Sequence, residues 1–149
     1  MNDKARSVGL KKGGCNCAQA VLLALADEAG ISSALACRVA CGFGGGMRCG
    51  GLCGAFTGAV MAIGLALGND APEDAEKRDE CYAAVIEFNR RCKERFGTLV
   101  CRELLGADSS TPEGKALLER EPERKRICDE LVAVAEEAAR DIIAGCRAH

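Results

Sequence analysis

The stretch C-R-V-A-C-G-F-G-G-G-M-R-C-G-G-L-C-G-A-F-T-G-A-V-M-A-I-G-L-A-L-G, residues 37–68, decides the fold. It joins a glycine-rich turn to an apolar run that carries no charge. The six glycines between positions 42 and 51 are incompatible with regular structure, so we predict a tight loop whose backbone can approach a ligand closely. Directly after this loop we predict a helix from Cys53 to Leu67.

The predicted helix contains two G-x-x-x-G pairs, a pattern typical of flat seams against which a second helix packs closely. These pairs are Gly54 with Gly58 and Gly64 with Gly68. A glycine inside a helix costs about 1 kcal/mol relative to alanine, so tertiary packing must offset that cost. We therefore expect this helix to be central and buried.

Helical periodicity continues on both sides of this stretch, and no useful length of the sequence alternates as a strand does. The further predicted helices are Cys17–Ala29, Ala34–Cys41, Glu73–Phe96, Leu99–Leu105 and Pro122–Ala144. The predicted fold class is all-α, a bundle of four main helices with short extra helices. We expect residues 1–149 to form a single domain.

The composition of the chain limits the binding partners and the cellular compartment that we expect for it. The net charge of -2 gives no electrostatic reason to bind nucleic acid, and the basic cluster Arg124-Lys125-Arg126 is interpreted as a solvated helix face rather than a phosphate-binding patch. No apolar stretch is long enough to span a membrane. Eleven cysteines, an odd number in a long helical chain, favour reduced thiols, metal ligands or a redox pair in the cytoplasm. Glycine-seamed helices with few aromatic residues favour a homodimer.

Three cysteines stand at the starts of predicted helices, namely Cys17, Cys53 and Cys101. The free N–H groups and partial positive charge at a helix start stabilise a thiolate, which is both the nucleophile and the metal ligand. We expect Cys53, which follows the glycine loop, to be the most acidic thiol. Cys81 and Cys92 lie in an apolar helical stripe and are interpreted as small hydrophobic residues.

The cysteine spacings are compatible with metal binding but match no standard motif. They are a C-x-C pair at positions 15 and 17 and C-x3-C pairs at 37/41 and 49/53. None of them is the C-x-x-C pair of zinc ribbons or of thioredoxin-like redox sites. Spacing alone therefore leaves metal binding and thiol redox chemistry both open.

Three motifs along the chain combine cysteine, glycine and small residues. They are Asn16-Cys17-Ala18-Gln19-Ala20, Gly42-Phe43-Gly44-Gly45-Gly46-Met47 and Cys53-Gly54-Ala55-Phe56-Thr57-Gly58. Together they resemble the C-GCAxxG-C-C family of redox-active proteins. The family pattern has one cysteine, then a Cys-Gly-Ala-x-x-Gly segment, then two further single cysteines. Its four positions are matched in order by Cys17, Cys53, Cys101 and Cys128, and the resemblance covers nearly the whole chain.

The resemblance implies a redox role for these four cysteines, with Cys17 and Cys53 as redox thiols if they are not ligands. The chain is also similar to the non-haem part of split-Soret cytochromes, which implies an iron–sulfur cluster held by the four. Cys37, Cys41 and Cys49 lie outside the family pattern and are candidate additional metal ligands. In either case we expect the four matched cysteines to converge in one small pocket.

Three functional hypotheses follow from this resemblance. The first is an iron–sulfur cluster, or another metal, used for electron transfer or redox sensing with a redox partner protein. The second is a dithiol/disulfide oxidoreductase that uses no metal. The third is a helical interaction module with a structural zinc ion.

Overall fold

A computed structural model describes residues 5–148, and its regular elements are helices. The nine α-helices of this part of the chain are α1 (Arg6–Lys12), α2 (Cys17–Ala24), α3 (Ala26–Ala29), α4 (Ser33–Ala40), α5 (Gly54–Leu67), α6 (Ala75–Phe96), α7 (Cys101–Leu105), α8 (Pro112–Arg120) and α9 (Ile127–Arg147). Within residues 5–148 the only β-type pairing is a single antiparallel bridge between Leu52 and Val100. The all-α prediction is confirmed. None of the described helices combines the length and the apolar character needed to cross a bilayer.

Helix α5 lies at the centre of the packing, against α2, α6 and α9. Its Phe56 ring packs edge-to-face on Phe88 of α6, with 6.2 Å between ring centroids, and lies 6.0 Å from the ring of Phe96. Ile63 on the same helix is fully buried. The uncharged run after the glycine loop is therefore the buried central helix that the sequence predicts.

The first G-x-x-x-G pair forms the contact between α5 and α2. A Cβ atom at Gly58 would lie 2.6 Å from the carbonyl oxygen of Ala18, and one at Gly54 would lie 3.1 Å from the Ala18 nitrogen. Both approaches are to backbone atoms, which cannot swing aside as a side chain can. The predicted seam is confirmed at these two glycines.

The second pair, Gly64 and Gly68, forms no such seam, and its prediction is wrong. No atom lies within 4 Å of a Cβ placed at Gly64. The nearest atom to a Cβ at Gly68 is the carbonyl oxygen of Gly64 itself, one turn earlier. The two pairs have the same spacing, but only the first has the backbone of another helix against it.

A buried carboxylate fixes α9 against the first helices of the chain. Glu136 is only 2% exposed, and its two oxygens accept hydrogen bonds from the Ser7 backbone N–H and the Arg140 guanidinium, each at 2.8 Å. Arg140 also donates to Glu28 at 2.8 Å and to the Ala24 carbonyl at 3.2 Å. A buried charge is tolerated when it is paired and hydrogen-bonded in this way. The network orients the middle of α9 relative to α1, α2 and α3.

Some helix boundaries differ from the sequence prediction. The predicted helix Cys17–Ala29 is interrupted at Leu25, which separates α2 from α3. The predicted final helix begins later, at Ile127, after a 3₁₀ turn over Pro122–Arg126. Helix α8 was not predicted, because it is short and polar, although Thr111 caps it by accepting a hydrogen bond from the Gly114 N–H.

Candidate functional site

The antiparallel bridge holds Cys53 beside Cys101. The Cys53 N–H donates to the carbonyl of Leu99 at 2.8 Å, and the Cys101 N–H donates to the carbonyl of Gly51 at 2.6 Å. Immediately after these bonds both segments turn into helices: Cys53 is the N-cap of α5, and Cys101 is the first residue of α7. The pairing of two short segments thus places two thiols next to each other.

The glycine-rich loop reaches this bridge through a left-handed turn. Four consecutive residues have positive φ angles, at 64°, 64°, 60° and 58° for Gly45, Gly46, Met47 and Arg48. Two of the four are not glycines, and a left-handed conformation costs such residues about 1–2 kcal/mol each. Gly46 lies so close to the site that a Cβ there would come within 2.8 Å of the Cys101 Cβ. The loop backbone therefore packs directly against Cys101, while its predicted approach to a ligand stays a prediction.

Cys17 and Cys128 enter from two further helix starts. Asn16 and Gln19 form the predicted capping box, with the Asn16 side chain accepting from the Gln19 N–H at 2.9 Å and Gln19 accepting from the Asn16 N–H at 3.1 Å. Cys17 is the first residue of α2 after this cap, and Cys128 is the second residue of α9. A local capping signal therefore fixes one of these thiols, and the packing of α9 brings in the other.

All four cysteines line one cavity with a volume of about 360 Å³. They are Cys17, Cys53, Cys101 and Cys128. Each belongs to a different helix and lies within its first turn or at its N-cap. The convergence expected for these four residues is what the structure shows, whereas their roles as redox thiols or as ligands stay predictions.

The Cys17 and Cys128 side chains are in hydrogen-bonding contact in this cavity. This contact lowers the pKa of Cys128 to about 7, and the charges of Lys11 and Lys125 act in the same direction. The same contact, together with burial, raises the pKa of Cys17 well above its ordinary value. The pair therefore begins to lose its first proton near neutral pH, and the directions of the two shifts favour Cys128 as the thiolate.

Cys53 is not the most acidic thiol, and that prediction is wrong. Burial raises its pKa to about 12, although the backbone N–H groups of Ala55 and Phe56 point at the sulfur and oppose the shift. Only 4% of Cys53 is exposed, so the loss of hydration outweighs the helix terminus. Burial also raises the pKa of Cys101. The acidic thiol is Cys128, whose partner sulfur supplies a hydrogen bond that Cys53 lacks.

The three additional candidate ligands lie outside this cavity. Cys41 and Cys49 are exposed, and the Cys49 thiol donates to the carbonyl of Gly46 at 3.4 Å. Cys37, on α4, is in hydrogen-bonding contact with Cys15 instead. The structure therefore does not bring Cys37, Cys41 and Cys49 together with the four cavity cysteines.

Four basic side chains line the cavity, and the sequence analysis assigned none of them to a site. They are Lys11, Arg48, Lys115 and Lys125. Lys125 is exposed, in agreement with the interpretation of Arg124-Lys125-Arg126 as a solvated face, but it stands in a 3₁₀ turn and also borders the cavity. The position of Lys125 beside the cavity depends on how α9 packs against the other helices. A run of basic residues in the sequence does not predict that packing.

The donor set suits a metal, but its present arrangement does not. Cysteine thiolates are the usual ligands of iron–sulfur clusters and of structural zinc. Over residues 5–148, however, no group of three or more His, Cys, Asp or Glu side chains is arranged so that it could hold a metal ion.

We expect the folded protein to lose stability as the pH rises from about 9 through about 12. Burial raises the pKa of both Cys53 and Cys92 to about 12, against 9.0 for an ordinary thiol. A raised folded-state pKa contributes stability that is complete below pH 9 and is lost as the pH climbs toward 12, by up to about 1.4 kcal/mol per pH unit for each thiol. Urea unfolding at pH 8, 10 and 11 measures this loss.

Two variants separate this effect from other alkaline titrations. Cys92→Val should show a shallower decline in the free energy of unfolding, since it removes one buried thiol. Cys41→Ala, which changes an exposed thiol, should decline as the parent does. If the free energy of unfolding declines equally steeply with pH in Cys92→Val and Cys41→Ala, the burial of thiols is not the cause of the alkaline loss of stability.

Comparison with known proteins gives one match. A family model described as "Putative redox-active protein (C_GCAxxG_C_C)" matches residues 15–142. No curated protein and no solved structure matches the chain. The matched span contains all four cysteines of the cavity.

Proposed function

This chain belongs to the C_GCAxxG_C_C family, and from that premise we propose that it is a dithiol/disulfide oxidoreductase whose working pair is Cys17 and Cys128. The observation that carries the proposal is that these two cysteines line one open cavity and are in contact there. A thiol that attacks a disulfide works best with a pKa near the ambient pH, and the pKa of Cys128 is about 7.

In the first step the Cys128 thiolate attacks one sulfur of a substrate disulfide RS–SR. The S–S bond of the substrate breaks, a Cys128–S–SR mixed disulfide forms, and one RS⁻ leaves. The Lys11 and Lys125 charges, which stabilise the thiolate, keep the nucleophile ionised at neutral pH.

In the second step Cys17 resolves the mixed disulfide. Its thiol gives up a proton, which the departing RS⁻ can take, and its sulfur attacks Cys128. The second RS⁻ then leaves and is protonated. Two protein thiols have been oxidised to the Cys17–Cys128 disulfide, and one RS–SR has been reduced to two RSH. The reverse sequence oxidises a dithiol substrate instead.

We expect oxidation by excess hydroxyethyl disulfide to join Cys17 to Cys128 before any other pair, because only Cys128 is substantially ionised in the cavity. Alkylation of the remaining thiols followed by peptide mass mapping identifies the cross-link. Cys53→Ala and Cys101→Ala should still form it, since both residues are protonated parts of the cavity wall in this proposal. A predominant Cys17–Cys53 disulfide would contradict the assignment of Cys128.

A second candidate is a metal centre, favoured by the presence of four cysteines around one cavity. Cys17, Cys53, Cys101 and Cys128 would hold an iron–sulfur cluster used for electron transfer or redox sensing, or else a zinc ion. Because these side chains are not arranged for an ion as they stand, we derive no step through a metal. Anaerobic purification followed by metal analysis and a visible spectrum tests this candidate directly.

Other sequence predictions keep the status of predictions. They concern a single domain over residues 1–149, a cytoplasmic location, a redox partner protein, a homodimer and the absence of nucleic-acid binding. The proposed disulfide exchange depends on none of them, because the Cys17–Cys128 pair lies within one chain.

A further inference from the structure

The cavity around the working pair is positively charged although the protein as a whole carries a net charge of -2. Four cationic side chains line it, namely Lys11, Arg48, Lys115 and Lys125. A single acidic side chain, Glu119, stands among them. Even with a thiolate on Cys128, the side chains that line the cavity carry more positive than negative charge. Two carboxylates outside the lining, Asp108 and Asp129, oppose this charge, since they raise the pKa of Cys101 and of Cys128 respectively.

Within residues 5–148, none of these four cations forms an ion pair with a carboxylate. Among residues 5–148, ion pairs are made by other basic residues, for example by Arg90 with Glu87 and Glu94. None of those ion pairs includes a basic residue of the cavity lining. Their charge is therefore free to act on whatever enters the cavity.

The cations surround the sulfur atoms from several elements of the fold. Lys11, in the last turn of α1, is near enough to stabilise the thiolates of both Cys17 and Cys128. Arg48 comes from the glycine loop, where its backbone has a left-handed φ of 58°. Such strained residues persist where the surrounding structure holds them, and they cluster at sites of function. Lys115 comes from α8.

The remaining lining limits the size and the character of the ligand. A volume of about 360 Å³ is at the small end of ligand-binding cavities. Leucines from α7, α8 and α9 form part of the wall, among them Leu104, Leu118 and Leu131. An apolar wall below a cationic rim suits a short aliphatic chain that ends in a carboxylate.

We infer that the substrates of the Cys17–Cys128 pair are small disulfides that carry carboxylates, and that the cationic lining selects them over neutral or cationic disulfides. This inference rests on the proposed dithiol function and names its substrate class. The reaction is the two-step thiol–disulfide exchange described above. The substrate RS–SR accepts two electrons and two protons and leaves as two carboxylated thiols. The carboxylates pair with the lining cations while the central S–S bond faces Cys128.

The test compares three disulfides of similar length and different charge: 3,3′-dithiodipropionate, hydroxyethyl disulfide and cystamine. Rates of formation of the Cys17–Cys128 disulfide are measured at pH 7 and low salt, each divided by the rate for the same protein unfolded in urea. That division removes the intrinsic reactivity of each reagent. We expect the anionic reagent to exceed the cationic one by about tenfold or more, with the preference largely lost in about 1 M salt.

Two matched variants test whether the lining cations cause the preference for anionic disulfides. Lys115→Gln removes a lining cation and should lower the ratio of the anionic to the neutral rate by several fold. Lys77→Gln removes an exposed lysine of α6 that lies outside the cavity lining, and should leave the ratio as it is. Because both measurements are ratios on one protein, a change in the reactivity of Cys128 itself cancels.

The outcomes separate the two proposals. Equal normalised rates for the three reagents, or equal ratios for Lys115→Gln and Lys77→Gln, would overturn the substrate class while the dithiol function stands. If none of the reagents forms the Cys17–Cys128 disulfide, the dithiol function itself fails and the substrate class fails with it.

Discussion

Replacement of Cys17 by alanine is expected to slow the alkylation of Cys128 by iodoacetamide about fifty-fold at pH 7. The Cys17 side chain is the largest cause of the lowered Cys128 pKa, which is about 7 in the parent protein. Without it we expect this pKa to rise at least to the ordinary thiol value of 9.0, because burial is the next largest cause and raises it. Half of Cys128 is then ionised in the parent, against about one part in a hundred in the variant. A pH profile of labelling, read by peptide mass, should move from a midpoint near 7 to one near 9.

The matched control is Cys17→Ser, which keeps a hydrogen-bond donor at the same position but cannot form a disulfide. Its Cys128 should label at close to the parent rate near pH 7, yet oxidation should give no cross-link. Cys17→Ala therefore removes both the activation of Cys128 and the resolving thiol, whereas Cys17→Ser removes only the resolving thiol. Equal labelling of Cys128 in Cys17→Ala and in the parent would contradict the role given to the hydrogen bond.

The second large effect is expected at the contact between α5 and α2. Gly58→Ala should lower the free energy of unfolding by about 3 kcal/mol, because its Cβ would meet the Ala18 carbonyl oxygen at 2.6 Å and backbone must shift to admit it. Since Ala18 follows Cys17 directly, that shift should also disturb the Cys17–Cys128 contact and raise the pKa of Cys128. Urea unfolding and the pH profile of Cys128 labelling measure the two consequences.

Gly64→Ala provides the comparison within the same helix. It adds the same methyl group where no atom lies within 4 Å, so it should stabilise the protein by about 0.5–1 kcal/mol through helix propensity. We therefore expect the free energy of unfolding to fall in Gly58→Ala and to rise in Gly64→Ala. Destabilisation of similar size in both would mean that the helix tolerates no added Cβ anywhere, and that the approach of Ala18 is not the cause.

Local signals in the sequence were sufficient for much of the fold. The Asn16–Gln19 capping box, the glycine loop and the uncharged run after Cys53 each depend on neighbouring residues only, and each appears in the structure as predicted. The convergence of the four cysteines came from family resemblance, because no local pattern relates Cys17 to Cys128.

Properties set by tertiary packing could not be predicted in this way. Cys53 and Cys128 both stand at helix starts, yet burial raises the pKa of one and a sulfur neighbour lowers that of the other. The two G-x-x-x-G pairs are identical in spacing, but only the first meets a helix. The bridge that joins Cys53 to Cys101 pairs only Leu52 with Val100, which is too short to leave a strand pattern.

The four thiols come from four helices spread along the chain, and this distribution has a consequence for biosynthesis. A ribosome adds roughly 5–20 residues per second, so Cys17 emerges seconds before Cys128 on α9. Throughout that interval Cys17 has no partner sulfur, and the acidic thiolate of the finished site does not yet exist. The nascent chain already contains most of its eleven cysteines at that stage. It acquires its most reactive group, the Cys128 thiolate, only when the last long helix docks.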